Sequence, residues 1–159
     1  MAKSIPDGYN SVTPYLIVND AAGAIEFYKR ALGATEKFRM NAPNGKVGHA
    51  EIKIGNSVIM LADEYPDMGH RGPQAFGGSP VSILLYVADV DDRFKRALAA
   101  GAKVRKPLET QFYGDRSGTL EDPFGHTWTI ATHVEDVAPE EMKRRAEVFM
   151  KQQEAGAAS

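Results

Sequence analysis

His49 and Glu51 are separated by one residue, a spacing that in a β-strand sends both side chains to the same face. An imidazole beside a carboxylate can hydrogen-bond to it, which raises the imidazole pKa. The pair can then act as a general base, or supply two ligands to a divalent metal. It can equally be a cross-strand polar contact on a partly solvated strand face. Alternation decides which face is meant. Ala50, Ile52 and Ile54 form the apolar side that belongs under a helix, so His49, Glu51 and Lys53 point the other way. The same parity puts Thr13, Tyr15, Ser82, Leu84, Tyr86, Thr127 and Thr129 on that second face, with Trp128 and Ile130 packed behind. Arg116, in Tyr113-Gly114-Asp115-Arg116, is expected in a loop, where its guanidinium either clamps a carboxylate or phosphate or pairs with Asp115 to hold the loop. His70 reads as an exposed loop residue or a third ligand, and His126 and His133 as turn and strand-end residues.

The elements that must position these groups repeat. Tyr15-Leu16-Ile17-Val18-Asn19-Asp20, a helix containing Lys29-Arg30-Ala31-Leu32, and Gly33-Ala34 are followed by Leu84-Leu85-Tyr86-Val87-Ala88-Asp89, Lys95-Arg96-Ala97-Leu98 and Gly101-Ala102. The offsets are 69, 66 and 68 residues. So regular a spacing marks one half as a diverged copy of the other. In the first copy, residues 12–18 read as a strand. Asp20 caps a helix with Ala24, Ile25, Tyr28, Ala31 and Leu32 on one face, and Gly33 ends it. Strands follow at 34–40, 46–54 and 57–63, giving βαβββ. Residues 64–80 hold four Gly and three Pro without periodicity and read as a connection. The second copy predicts a strand at 81–87, a helix at 90–100, and strands at 103–106, 117–121 and 126–133. Pro139 starts a helix over about 138–154, with Met142, Ala146 and Phe149 on one face, ahead of a disordered tail of about five residues.

The totals exclude several classes. The 159 residues suit one domain of two modules, about 12–63 and 81–133. With 19 basic against 21 acidic residues and no basic run interleaved with aromatics, nucleic acid is not an expected partner. No leader-like start and no run of about 18 apolar residues is present, so export and membrane spanning are not expected and the cytoplasm is the default. There is no Cys, which removes disulfides and thiolate ligands.

Paired βαβββ modules with Phe27-Tyr28 and Leu32-Gly33 in the first helix, and Asp122-Pro123-Phe124-Gly125 before the last strand, resemble the vicinal oxygen chelate superfamily over roughly 8–135. This group includes glyoxalase I, bleomycin-resistance proteins, fosfomycin-resistance enzymes and extradiol dioxygenases. The run Asp122 to His133, with Tyr113-Gly-Asp-Arg and His49-Ala-Glu51, looks like the PhnB-like branch. The resemblance implies an α+β, glyoxalase-like fold, a cupped mixed sheet around a central cleft. It also implies a divalent metal held by side chains of the first, fourth, fifth and eighth strands. The corresponding positions here are Thr13, Met60, Ser82 and Thr129. A thioether and three neutral hydroxyls are a poor donor set for such an ion.

Three functions follow. One is a homodimer that binds a small organic molecule in the cleft through Thr13, Tyr15, Met60, Ser82, Tyr86, Arg116 and Thr129 without a metal or other cofactor. Another is a lyase or isomerase of glyoxalase type with His49 and Glu51 as base. The last is a metal enzyme whose ligands have moved to a non-standard site.

Overall fold

A computed structural model describes residues 1–158. The first module is β1 (Tyr15–Val18), α1 (Ala21–Leu32), β2 (Thr35–Asn41), β3 (Val47–Ile54) and β4 (Ser57–Asp63). The second is β5 (Ser82–Tyr86), α2 (Val90–Ala100), β6 (Lys103–Thr110), β7 (Asp115–Glu121) and β8 (Thr127–His133), and α3 (Pro139–Ala157) follows. Each module is βαβββ, and its sheet has the same order: β1-β4-β3-β2 and β5-β8-β7-β6. In both, the first strand runs parallel to the last and the remaining pairs are antiparallel.

The duplication extends to single hydrogen bonds. Asp20 accepts from the Gly23 N–H at the start of α1, and Asp89 from the Asp92 N–H at the start of α2. These caps satisfy amides that no helical carbonyl reaches. The last strand of each module adds a second cap, Asp63 accepting from the Ala21 N–H and Thr132 from the Val90 N–H. Gly33, at φ 70°, then ends α1 in a left-handed turn that a side chain would strain.

Each helix covers one sheet, and α1 packs on α2, so both modules share one core. Tyr28 lies 5.4 Å from Trp128 and Phe27 lies 6.1 Å from Phe124, ring centre to ring centre. At the middle of this contact sits the carboxylate of Asp122, 4% exposed. It accepts from the Tyr28 hydroxyl at 2.5 Å, Trp128 Nε1 at 2.9 Å, and the Phe124 and His126 amides at 2.9 and 3.0 Å. A buried charge persists where donors replace its lost water, and four do so here. Burial and the Asp122 charge push the Tyr28 phenol well above its usual range. His126 adds a second tie, Nε2 donating to the Ile17 carbonyl at 2.9 Å.

Several expectations need adjustment. Strand β1 begins at Tyr15 instead of residue 12: Pro14 accepts from the Met60 N–H but has no N–H of its own to continue the ladder. Strand β6 runs four residues past its expected end. Pro107 does not end it, because β6 is an edge strand, where Pro is tolerated, and the register shifts between Lys106 and Glu109. Strand β7 starts two residues early, at Asp115. The connection 64–80 holds two 3-10 turns, Pro66–Met68 and Pro73–Phe76, each opened by Pro and closed by Gly. Helix α3 continues to Ala157, through residues expected to be disordered, and Ser159 lies outside the described residues. The two modules keep separate four-stranded sheets, as the duplication implies: β1 and β5 are their inner edges, and a groove separates them.

Candidate functional site

On the first sheet, the face away from α1 carries a closed polar cluster. The Tyr15 hydroxyl lies 2.8 Å from His49 Nδ1, and His49 Nε2 lies 3.4 Å from Glu51 Oε1. Tyr9, from the arm before β1, donates to Glu51 Oε2 at 2.5 Å, and the Lys37 ammonium sits 4.2 Å from the Tyr9 ring centre. Met60 is directly opposite both Tyr15 and Glu51 in the ladder and completes the row. Strand alternation aims these groups together, as Ala50, Ile52 and Ile54 are all buried on the other side.

The bonds assign roles. Burial works against the Glu51 charge, yet the hydrogen bonds from Tyr9 and His49 outweigh it and hold the carboxyl below the usual range. An ionised carboxylate only accepts, so His49 Nε2 donates to Glu51, and the Tyr15 hydroxyl lies against Nδ1. The Tyr9 phenol is raised by its bond to Glu51, and the Tyr15 phenol by burial and the Glu51 charge, so both remain protonated at neutral pH. Both His49 ring nitrogens therefore already have partners within the cluster. Tyr15, about half exposed, is the member of the hydrogen-bonded cluster most open to solvent.

The second sheet differs on its equivalent face. Thr119 and Thr129 hydroxyls bond to each other at 2.9 Å beside Leu84. Toward the far end the Tyr86 hydroxyl donates to Asp115 Oδ2 at 2.7 Å. His133 bridges Asp115 and Asp136, Nδ1 and Nε2 each at 2.7 Å from a carboxylate oxygen. These two bonds raise the His133 pKa above its usual value. Leu84, Thr119 and Thr129 line a pocket of about 480 Å³ that also takes in Phe149 and Gln153 of α3. Between the sheets runs the groove, about 570 Å³, lined by Val12, Pro14, Tyr15, Ser82, Leu84 and His126 among others. Tyr15 belongs to both the polar cluster and the groove, and Leu84 to both the groove and the pocket, so the three surfaces are continuous.

The sequence-derived residues distribute over this strip. His49, Glu51, Tyr15 and Met60 come together on the first sheet. Ser82 lines the groove, Thr129 the pocket, and Tyr86 is committed to Asp115. Thr13 precedes β1, half-buried, and its neighbours Val12 and Pro14 line the groove. Arg116 is not with them. Because β7 starts at Asp115, Arg116 falls on the helix side, where Nε and Nη2 grip the Asp91 carboxylate of α2 at 2.9 and 2.8 Å. Its partner is Asp91, not Asp115. Tyr9 escaped the sequence reading because it lies in an arm with no periodicity. Phe149 was read only as a helix-face residue.

The metal implied by the fold needs imidazole or carboxylate donors, and the four positions do not offer them. Met60 gives a thioether, and the Thr129 hydroxyl is bonded to Thr119. His49 and Glu51 are two donors, and among the described residues no group of three His, Cys, Asp or Glu is arranged to hold an ion. No helix there is long and apolar enough to cross a membrane.

Known proteins agree with this architecture. The chain is 45% identical over 136 residues to the uncharacterized protein Mb0911c of Mycobacterium bovis, covering 84% of this chain and 90% of that one. It is 25% identical over 140 residues to protein YjdN of Escherichia coli, covering 75% and 92%. The crystal structure of TioX from Micromonospora sp. ML1 superposes with a TM-score of 0.62 at 26% identity, over 79% of this chain and all but 1% of that one. A PhnB protein from Bacillus cereus shares the fold with a TM-score of 0.61 at 19% identity, over 77% of this chain and 99% of that one. Residues 8–130 match the Glyoxalase/Bleomycin resistance protein/Dioxygenase superfamily, and with both βαβββ modules in place the chain belongs to that superfamily, the vicinal oxygen chelate proteins.

Proposed function

We propose that this protein binds a small organic molecule along the strip between His49 and Thr129, without the superfamily metal, and works as a homodimer. The observation that carries the reading is the donor set. Thr13, Met60, Ser82 and Thr129 offer no strong ligand, and the polar cluster beside them is satisfied internally. Such a surface suits recognition, in which hydroxyl and aromatic groups orient a ligand on a largely apolar wall. The dimer is supported by what one chain leaves uncovered. Val12 is 83% exposed, Val81 67%, Tyr86 59% and Leu84 50%, side by side on or near the inner sheet edges. A second copy is the partner with a matching surface.

Thermal-shift measurements on the purified protein, with zinc, nickel or manganese and then with a collection of small aromatic compounds, test the reading. The metals are expected to give no shift, while an organic ligand gives one that Tyr15→Ala removes. An ion at 100 times its Kd would stabilise by about 2.7 kcal/mol, which is easily seen. A metal shift that disappears in His49→Ala would overturn the metal-free reading in favour of relocated ligands. Light scattering that shows a monomer at micromolar concentration would overturn the dimer.

One observation favours a second reading, a lyase or isomerase. The row Tyr15, His49, Glu51 is a hydrogen-bonded chain along which a proton could pass from a substrate to His49 through the Tyr15 oxygen. Turnover of a carbonyl substrate that is lost in both Tyr15→Phe and His49→Ala would favour it.

A further inference from the structure

Helix α3 buries none of its own residues, and both it and the connector before it, residues 134–138, lie beyond the family match, which ends at residue 130. One turn between β6 and β7, residues 111–115, holds them. Arg145 donates to the Phe112 carbonyl at 3.1 Å and to both Glu135 oxygens at 2.9 and 2.8 Å, and the Phe149 ring packs on Phe112 with centres 5.0 Å apart. The Val134 and Glu135 amides both donate to the Gly114 carbonyl, at 2.9 and 3.0 Å. Gly114 sits at φ 98°, where a Cβ would come 2.1 Å from the Glu135 carbonyl oxygen, so only glycine admits the connector here. Asp115 then meets His133 Nδ1, and His133 Nε2 meets Asp136, the residue after Glu135, each at 2.7 Å.

Those last two contacts cannot both survive the loss of a proton. An imidazolium has an N–H on each ring nitrogen, and each of these faces a carboxylate, which only accepts. The neutral ring keeps one N–H, and its other nitrogen turns a lone pair on a carboxylate oxygen. Burial decides which contact is kept. Asp115 is 5% exposed and also holds the Tyr86 hydroxyl, whereas Asp136 is fully exposed and water replaces its partner at little cost.

We propose that His133 is a pH-operated clasp for α3: its imidazolium holds Asp136, and so the connector that seats the helix, and the neutral ring lets that connector loosen. The groups around it are Asp115 of β7, Tyr86 of β5 beyond Asp115, Tyr113 of the turn, and Glu135 and Asp136 of the connector, with Arg145 of α3 behind Glu135. Carboxyls ordinarily titrate at about 4 and phenols at about 10, so the imidazole is the group that changes charge near neutrality. Arg145 holds the Glu135 carboxyl below its usual range, so that ion pair persists while His133 titrates. The bonds to Asp115 and Asp136 raise the His133 pKa, so the clasp is closed below 6.5 and opens as pH rises through the folded value. The clasp needs no ligand and stands independently of the binding reading.

Hydrogen exchange of the α3 amides in the full chain, corrected for its intrinsic dependence on pH, tests this between about pH 5.5 and 8.5, with the His133 ring signals followed by NMR alongside. Protection of α3 is expected to fall about threefold to fivefold, the size of one exposed ion pair, with the midpoint of the ring titration, while the α1 amides hold steady. Asp136→Ala should show the lower protection at every pH and no response. Asp136 is fully exposed, so this variant should keep its fold, which its α1 amides report. His133→Gln should lose the response as well. Constant α3 protection while the ring titrates overturns the proposal, as does a wild-type response in Asp136→Ala. A ring that stays neutral down to about pH 5.5, or a fall shared equally by α1, overturns it too.

Discussion

The two modules agree on one face and disagree on the other. Toward the helices they are near copies: an Asp cap on each helix, a second cap from the last strand, a Gly stop, and apolar residues packed beneath. On the opposite face the first module holds Tyr9, Tyr15, His49 and Glu51 in one hydrogen-bonded cluster, and the second holds a threonine pair and Leu84, with Phe149 and Gln153 of α3 beside them. The coverings differ too, an N-terminal arm on one side and a C-terminal helix on the other. Packing explains the pattern. Side chains between helix and sheet must fill a fixed volume at near-crystalline density, so few substitutions fit. Those on the open face meet water or a ligand, and each copy could take on its own chemistry.

The asymmetry is greatest at the hairpin turns that precede the last strand of each module. Asp122 holds four donors from both modules, whereas the Asn56 side chain, at the corresponding turn of the first, accepts a hydrogen bond from the neighbouring Ser57 hydroxyl. Asp122→Ala should therefore cost on the order of 3–5 kcal/mol in urea unfolding, because it strands buried donors. Asn56→Ala should cost less than about 1 kcal/mol. Equal costs would mean that the core does not hinge on Asp122.

The open faces come next. His49→Ala and Glu51→Gln should abolish or sharply weaken ligand binding, with stability altered by only about 1 kcal/mol, since a polar cluster at a wet surface contributes little to folding. Normal binding in both variants would move the site to the second module alone.

Acid and base should separate the modules further. Glu51 is held below its usual 4.5, so its contribution is full above that value and disappears as pH falls through the lower folded pKa. His133 is raised above 6.5 by Asp115 and Asp136, so its contribution is full below 6.5 and disappears as pH rises through the folded pKa. Hydrogen exchange followed against pH should show the first cluster loosening below about 4.5 and the second just above 6.5. Each response should be absent in Glu51→Gln and His133→Gln respectively. Both losses on the same side of neutrality would contradict the assigned bonds.

The smallest effect belongs to Arg116. Bound to Asp91 on the helix side, it should leave ligand affinity unchanged when replaced by Ala, measured with whatever compound the thermal-shift screen finds. A lost affinity would return Arg116 to the site.

The sequence by itself determined the modules. Repeated caps, Gly stops and alternating strands are local signals, and each is decided within a few residues, so both helices, the duplication and the inward direction of His49 and Glu51 were legible. The resemblance carried by Asp122-Pro123-Phe124-Gly125 gave the fold, but nothing local shows Asp122 as the acceptor that joins two modules, because its partner Tyr28 is 94 residues away. Arg116 failed for a related reason. Moving a strand start by two residues turns a loop residue into a strand residue with fixed parity, and strand starts beside Gly are set by tertiary pairing, here Asp115 with His133. Tyr9 over Glu51, the groove between β1 and β5, and α3 across the second sheet are all contacts between segments with no periodic relation. They exist only once the chain has packed, since their geometry is set by where the two sheets and their shared core place each backbone.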